Sequence, residues 1–250
     1  MIKRIYRSES DLYNLSLKRT ENLNQGVNLD YKNIVVNKPW GYEYLLFENK
    51  YVAIWVLCLK KNGATSMHCH PNKKTSLLVL SGLVISSTLD TEFKLAPNDG
   101  LIIDSGVFHS TKSISDEDTF LIEVETPPDK NDLVRLKDQY GRENKCYEGA
   151  VSMSKDLSNY HYCDFHSLKN GMERRNLVSK NMILVKDQLL NILNNNLSND
   201  TPTNICLLDG CVTDTKGQVI VNVGEVVTDS FLRGLSGRYN QSASNILLIY

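Results

Sequence analysis

His68-Cys69-His70 is the segment of this sequence best equipped for chemistry. Two histidines at i and i+2 on an extended segment point to one face. Imidazoles placed that way can grip one metal ion from two directions. A third, His109, follows another apolar run and a glycine turn at Gly106. Neutral imidazole suits Zn, Fe, Ni, Cu and Co. Three protein ligands leave positions open for water or substrate, as in catalytic rather than structural sites. The spacing predicts one divalent ion (Zn, Fe, Mn or Ni) on His68, His70 and His109, with water completing its shell. The alternative is that the three are kept for packing or polar contacts. Cys69 should face the opposite side, into sheet packing.

Other residues are placed to assist. Glu43 and Glu123 lie on expected strands and are the candidate catalytic bases, with exposed strand positions as the alternative. Glu123 and Glu125 share one face, opposite Phe120, Ile122 and Val124. Lys38, Lys73, Lys74, Arg135 and Arg142 could hold an anionic group, arginine by paired hydrogen bonds and lysine as a point charge. Lys73 and Lys74 follow the His-x-His segment directly, which puts them near the site or on a solvated loop. His161 to His166 superficially resembles a ligand cluster, but it lacks strand context and a partner pair.

The elements that must position these groups are short. Strand-like runs occur at 34–36, 41–47, 52–59, 77–80, 84–88, 101–103 and 119–125, separated by turn formers such as Lys61-Asn62-Gly63 and Pro97-Asn98-Asp99-Gly100. That spacing argues for an all-β sandwich or barrel rather than alternating βαβ units. Ser8 to Arg19 reads as a helix capped by Ser8, with Asp11 three residues on. A faint internal repeat follows. Leu77 to Val84 matches Ile205 to Val212, with Gly82 and Gly210 in register, and both copies end in an apolar strand, at 120–124 and 246–250. The second copy has no histidine, and the position equivalent to His68 falls on Asn196. The Asn-rich run from 191 to 199 reads as a polar turn.

Composition narrows the classes. The chain has 250 residues, with 28 Lys+Arg against 29 Asp+Glu, so net charge suggests neither nucleic acid nor an anionic membrane as partner. No apolar stretch approaches the roughly 20 residues that span a bilayer. The basic Met1 to Arg7 has no apolar run behind it, so it does not read as a signal peptide. The six cysteines form no CxxC pair and read as reduced thiols of a cytoplasmic protein.

The two histidine segments resemble the motifs of the cupin superfamily. Gly63, His68, His70 and Gly82 fit the first motif, with its opening spacer one residue short, and Gly106 and His109 fit the second. Thr75 stands where that family places a metal-binding glutamate. Asn98, Asp104 and Ser113 replace its glycine, proline and asparagine. Lys38-Pro39-Trp40-Gly41, Phe120 to Glu125, Asp132-Leu133-Val134-Arg135 and Tyr140-Gly141-Arg142 are similar to the cupin domain of type II mannose-6-phosphate isomerases, over about residues 38–142.

The resemblance implies a double-stranded β-helix (jelly roll), and with the repeat a bicupin whose second cupin is degenerate. The expected organisation is an extension over 1–33, a metal-binding cupin over 34–145, a linker over 146–176 and the degenerate cupin over 177–250. It implies a metal-dependent enzyme that isomerises or epimerises a phosphorylated or nucleotide-linked sugar for surface polysaccharide. Arg142 would be the preferred phosphate contact, with Arg135 and Lys74 beside it. A homodimer is expected, because cupin barrels often pair. The alternatives are a three-histidine Fe(II) dioxygenase of the thiol dioxygenase kind, and a non-catalytic sugar-binding or scaffolding cupin.

Overall fold

Apolar runs become strands in this chain, and glycine turns end them. Ala53–Leu59 is apolar throughout and buried along its whole length. Lys74–Ser81 stops at Gly82, whose φ is +80° and whose Cβ would lie 2.5 Å from Thr119 Oγ1. Gly210 fills the same role in the second half, with a φ of +60°. The computed structural model describes residues 1–18, 29–143, 147, 149–155, 160–164, 171–178, 180–194, 203–235 and 239–250.

The first unit contains β1 (Ile2–Ile5), α1 (Glu9–Lys18), β2 (Val35–Lys38), β3 (Gly41–Glu48), β4 (Ala53–Leu59), β5 (Met67–Cys69), β6 (Lys74–Ser81) and β7 (Val84–Thr88). It continues with β8 (Glu92–Leu95), β9 (Gly100–Ile103), β10 (His109–Ser113), β11 (Thr119–Thr126), β12 (Val134–Lys137) and β13 (Met153–Ser154). One sheet runs β1-β9-β6-β11-β4-β3-β2-β13, and the facing sheet β12-β5-β10-β7-β8. This is the two-sheet jelly roll expected from the sequence. Helix α1 is capped as expected: Ser8 Oγ accepts from the Asp11 N–H, and Asp11 Oδ2 accepts from the Ser8 N–H.

The second unit contains β14 (Met172–Leu177), β15 (Lys180–Lys186), α2 (Leu189–Asn194), β16 (Asn204–Leu207), β17 (Val212–Asp214), β18 (Val219–Val221), β19 (Val226–Thr228), α3 (Asp229–Gly234), β20 (Tyr239–Gln241) and β21 (Asn245–Ile249). Its sheets run β14-β15-β21-β16-β19 and β18-β17-β20. The strand order parallels β3-β4-β11-β6-β9 and β8-β7-β10 of the first unit. Helix α2 occupies the chain position held by β5 in the first unit, and it begins at Leu189 and runs into the Asn-rich segment read as a turn. Asn196 lies outside the described residues. β14 begins inside the stretch read as linker and ends at Leu177, and β13 pairs with β2 of the first unit.

Strand alternation sorts most of the buried side chains into three large cores. Trp55, Leu57, Val79 and Leu121 fill the first barrel. Ile183, Val185, Ile205 and Leu248 fill the second. Between them, Ile54, Val56, Ile122 and Val124 meet Met182, Leu184, Cys206 and Leu247. The outer face of the first unit's large sheet is therefore buried against the second unit.

Candidate metal centre

Strand β5 lies between β12 and β10, with His68 in register with His109 on one side and Arg135 on the other. Cross-strand partners share a face, so both side chains turn inward with His68. His70 follows on the same face. The ring centroids are 4.5 Å apart for His68 and His109, 5.0 Å for His68 and His70, and 5.5 Å for His70 and His109. One ligand nitrogen from each lies within 4.8 Å of the others.

Hydrogen bonds fix how each ring is turned. The His68 Nδ1–H donates to Ser66 O at 2.8 Å, His70 to Asp132 O at 2.6 Å, and His109 to Val107 O at 3.0 Å. Each bond places the proton on Nδ1 and leaves the Nε2 lone pair free, the outer-sphere arrangement usual for metal-bound histidine. His70 Nε2 is buried without a hydrogen-bond partner. Burial holds all three imidazoles below the ordinary histidine range, with His109 adding to the effect on His68 and Lys73 to that on His70. Neutral imidazoles with unshared lone pairs in one space fit a divalent cation.

The supporting shell links the two motifs. The Gly106 N–H donates to His70 O at 2.7 Å. Asp11, a buried residue of α1, accepts from the Phe108 N–H at 2.8 Å and so pins the residue before His109. The Asp132 carboxylate accepts from the backbone N–H groups of Asn72 and Lys73 while its carbonyl orients His70. Cys69 turns away, as expected, and packs with Leu15, Phe108 and Val134.

A cavity opens above the histidines, lined by Lys38, Lys73, Lys130, Arg135 and Arg142, by Glu43, Glu123 and Glu125, and by Trp40 and Tyr147. Five basic groups face three acidic ones, so the cavity favours an anionic ligand. Below the histidines a second, mostly apolar hollow is lined by Leu57, Leu77, Ile103, Leu121 and Thr75, and His68 and Glu123 border both spaces.

The three glutamates differ sharply. Burial raises the proton affinity of Glu43, but Lys130 at 3.2 Å, Lys38 at 3.5 Å and the Tyr147 hydroxyl overcome it and hold the carboxyl at about 2. Glu125 is likewise held low against its burial by Lys130 at 3.0 Å and Lys73 at 2.9 Å. The Glu123 carboxylate makes no hydrogen bond to any described residue. Burial pushes its carboxyl up to about 7, and one oxygen lies 3.8 Å from His70 Nε2.

Of the residues singled out from sequence, the structure gathers His68, His70, His109, Glu43, Glu123, Arg135 and Arg142 around these two spaces. Lys74 is not among them. Its side chain is 42% exposed and reaches Asp104 at 3.6 Å, whereas Lys73 is 2% exposed and faces the cavity. Neighbours on an extended chain point to opposite sides, so only one of the two lysines can face inward. Arg142 lines the cavity, but its Nε and Nη2 donate to Asp138 at 2.9 and 2.8 Å. Sequence reasoning missed the roles of Lys130, Trp40, Tyr147 and Asp132. Asp132 and Trp40 had a signal, their places in the Asp-Leu-Val-Arg tail and the Pro-Trp-Gly entry, and Lys130 and Tyr147 had none. His166 lies outside the described residues, and His161 is not part of the three-histidine group.

No family model matches the chain. It is 26% identical over 128 residues to a mannose-1-phosphate guanylyltransferase of Klebsiella pneumoniae, covering 50% of this chain and 27% of that protein. The Escherichia coli protein of the same name is 25% identical over the same shares. The chain thus spans about a quarter of these relatives' length. Among solved structures, the capsular polysaccharide assembling protein CapF of Staphylococcus aureus aligns with a TM-score of 0.38 at 18% identity, over 42% of this chain and 34% of that one. A double-stranded β-helix protein of Klebsiella pneumoniae aligns with a TM-score of 0.35 at 17% identity, over 38% and 84%. No helix among the described residues is long and apolar enough to cross a membrane. With its strand order, its two motif segments on adjacent strands and its histidines converging between the sheets, the first unit is a double-stranded β-helix of the cupin type.

Proposed function

We propose that the chain is a metal-dependent cupin enzyme that isomerises or epimerises a phosphorylated or nucleotide-linked sugar, in the making of surface polysaccharide. The carrying observation is the set of three neutral histidines, each with its Nδ1–H tied to a backbone carbonyl and its Nε2 turned to a common space. His68, His70 and His109 would hold the ion. A bound divalent ion supplies Lewis acidity toward a carbonyl or hydroxyl oxygen.

The residues around it suit a sugar phosphate. Arg135 stands beside His68 on the neighbouring strand and offers a fixed, permanently charged fork to a phosphate. Trp40 gives an apolar surface for a sugar ring. Glu43, held ionised by two lysines and a tyrosine, orders that wall rather than moving protons. The relatives named for mannose-1-phosphate chemistry support the substrate class over half of the chain. We read the second unit as a degenerate cupin without a metal, because it repeats the strand order but has no histidine and has α2 in place of β5.

The test is to incubate metal-loaded protein with hexose phosphates and nucleotide sugars in D2O and follow deuterium entry by NMR. Incorporation next to a carbonyl-bearing carbon, without oxygen uptake, is the expected result. Oxygen consumption without exchange would favour the dioxygenase, and absence of both would favour a binding or scaffolding role.

A further inference from the structure

We infer that Glu123, from strand β11, supplies the carboxylate ligand that position 75 no longer carries. This rests on the reading of the three histidines as a metal site. Thr75 has a short, neutral side chain, and its hydroxyl is buried without a hydrogen-bond partner. It cannot deliver charge to an ion. Strand β11 lies beside β6, with Glu125 opposite Thr75 and Glu123 opposite Leu77. Glu123 therefore enters the space of the missing carboxylate from the adjacent strand. Thr75 and Glu123 line the same hollow together with His68 and His109. A glutamate at position 75 would compete for that volume, and a threonine leaves it open.

Distances and commitments single out Glu123 among the three acidic side chains of the cavity. Glu43 and Glu125 are bound by lysines. The Glu123 carboxylate has no hydrogen bond to a described residue, and one of its oxygens is 3.8 Å from His70 Nε2. Two ligands about 2.1 Å from one tetrahedral ion lie about 3.4 Å apart. A shift of a few tenths of an ångström completes that spacing. The result is a ligand set of three histidines and one glutamate assembled from three strand regions, with the charge arriving from the wall rather than from the histidine motif itself.

Co(II) binding tests this without reference to activity. Metal-free wild type, Glu123→Gln and Thr75→Ala are titrated with Co(II), followed by visible absorption and by competition with a chelator. Wild type should bind one ion, and Thr75→Ala should match it. Glu123→Gln should bind at least about tenfold more weakly, a loss usual even for an outer-sphere partner of a metal ligand. Equal affinity in wild type and Glu123→Gln overturns the assignment and leaves the three-histidine site standing. Absence of Co(II) binding in wild type overturns both. A crystal structure of Co(II)-loaded wild type decides the same question should Glu123→Gln fail to fold: a Glu123 oxygen on the ion supports the inference, and a carboxylate turned away from it refutes it.

Discussion

Replacing Glu43 by glutamine separates a structural carboxylate from a catalytic one. Its side chain is 5% exposed and faces Lys130, Lys38 and the Tyr147 hydroxyl. Burial alone would raise its proton affinity, yet these partners bring it from an ordinary value near 4.5 down to about 2. Each tenfold difference in proton affinity is worth about 1.4 kcal/mol, so the native state gains about 3 kcal/mol from keeping Glu43 charged. The folded value is the depressed one. The unfolded chain therefore binds more protons between about pH 4.5 and pH 2, and the contribution is full above that window and lost as pH falls through it. Glutamine keeps the shape and removes the charge, leaving Lys38 and Lys130 one partner short. Lys130 retains Glu125 at 3.0 Å, which limits the damage. At about 2–4 °C per kcal/mol for a chain of this size, Glu43→Gln should melt roughly 6–12 °C below wild type at pH 7. The gap should narrow as pH is lowered toward 2. Calorimetry of both proteins at pH 7 and pH 3 measures it, with metal content determined in parallel and expected to be unchanged. Equal melting temperatures at pH 7, combined with loss of turnover, would refute the reasoning and return Glu43 to the role of proton-transfer group.

The double variant His68→Ala, His70→Ala should carry no metal after dialysis, by elemental analysis, and full occupancy would place the site elsewhere. Arg135→Ala should weaken sugar-phosphate binding by about ten- to hundredfold, the loss of about 1.5–3 kcal/mol expected for a charged hydrogen bond. Arg142→Ala should lose less, because Asp138 already engages its guanidinium; calorimetric titration of both variants decides between them. Light scattering should give the mass of a homodimer, formed through a surface other than the large sheet's outer face, which the second unit already covers. A monomer mass would remove the dimer.

Local rules made part of this molecule legible. His68 and His70 share a face because residues two apart on an extended chain must, and Cys69 is turned into packing for the same reason. The all-β class followed from short apolar runs between turn formers, and the cap of α1 from Ser8 and Asp11. The lysines show where local rules stop. After Pro71-Asn72 the chain turns before β6 begins, so which of Lys73 and Lys74 faces inward depends on how that turn closes. Asp132 decides it by accepting from the backbone of residues 72 and 73 across 59 to 60 positions of sequence.

Glu123 and Glu125 mark the same boundary more sharply. Alternation put both on one face of β11 but left open whether that face met water or the barrel interior. The choice was made by Ile122 and Val124, which needed the apolar surface of the second unit and took the outer face with them. Both glutamates were thereby turned inward. Lysines reached one of them and not the other: Lys73 and Lys130 neutralise Glu125, whereas Glu123 lies next to histidines that carry no charge to offer it. A buried carboxylate without a cationic hydrogen-bond partner is unfavourable in itself, and a cation held by His68, His70 and His109 would relieve it. The second unit, without a histidine of its own, thus bears on the chemistry of the first through the packing that fixes which way β11 faces.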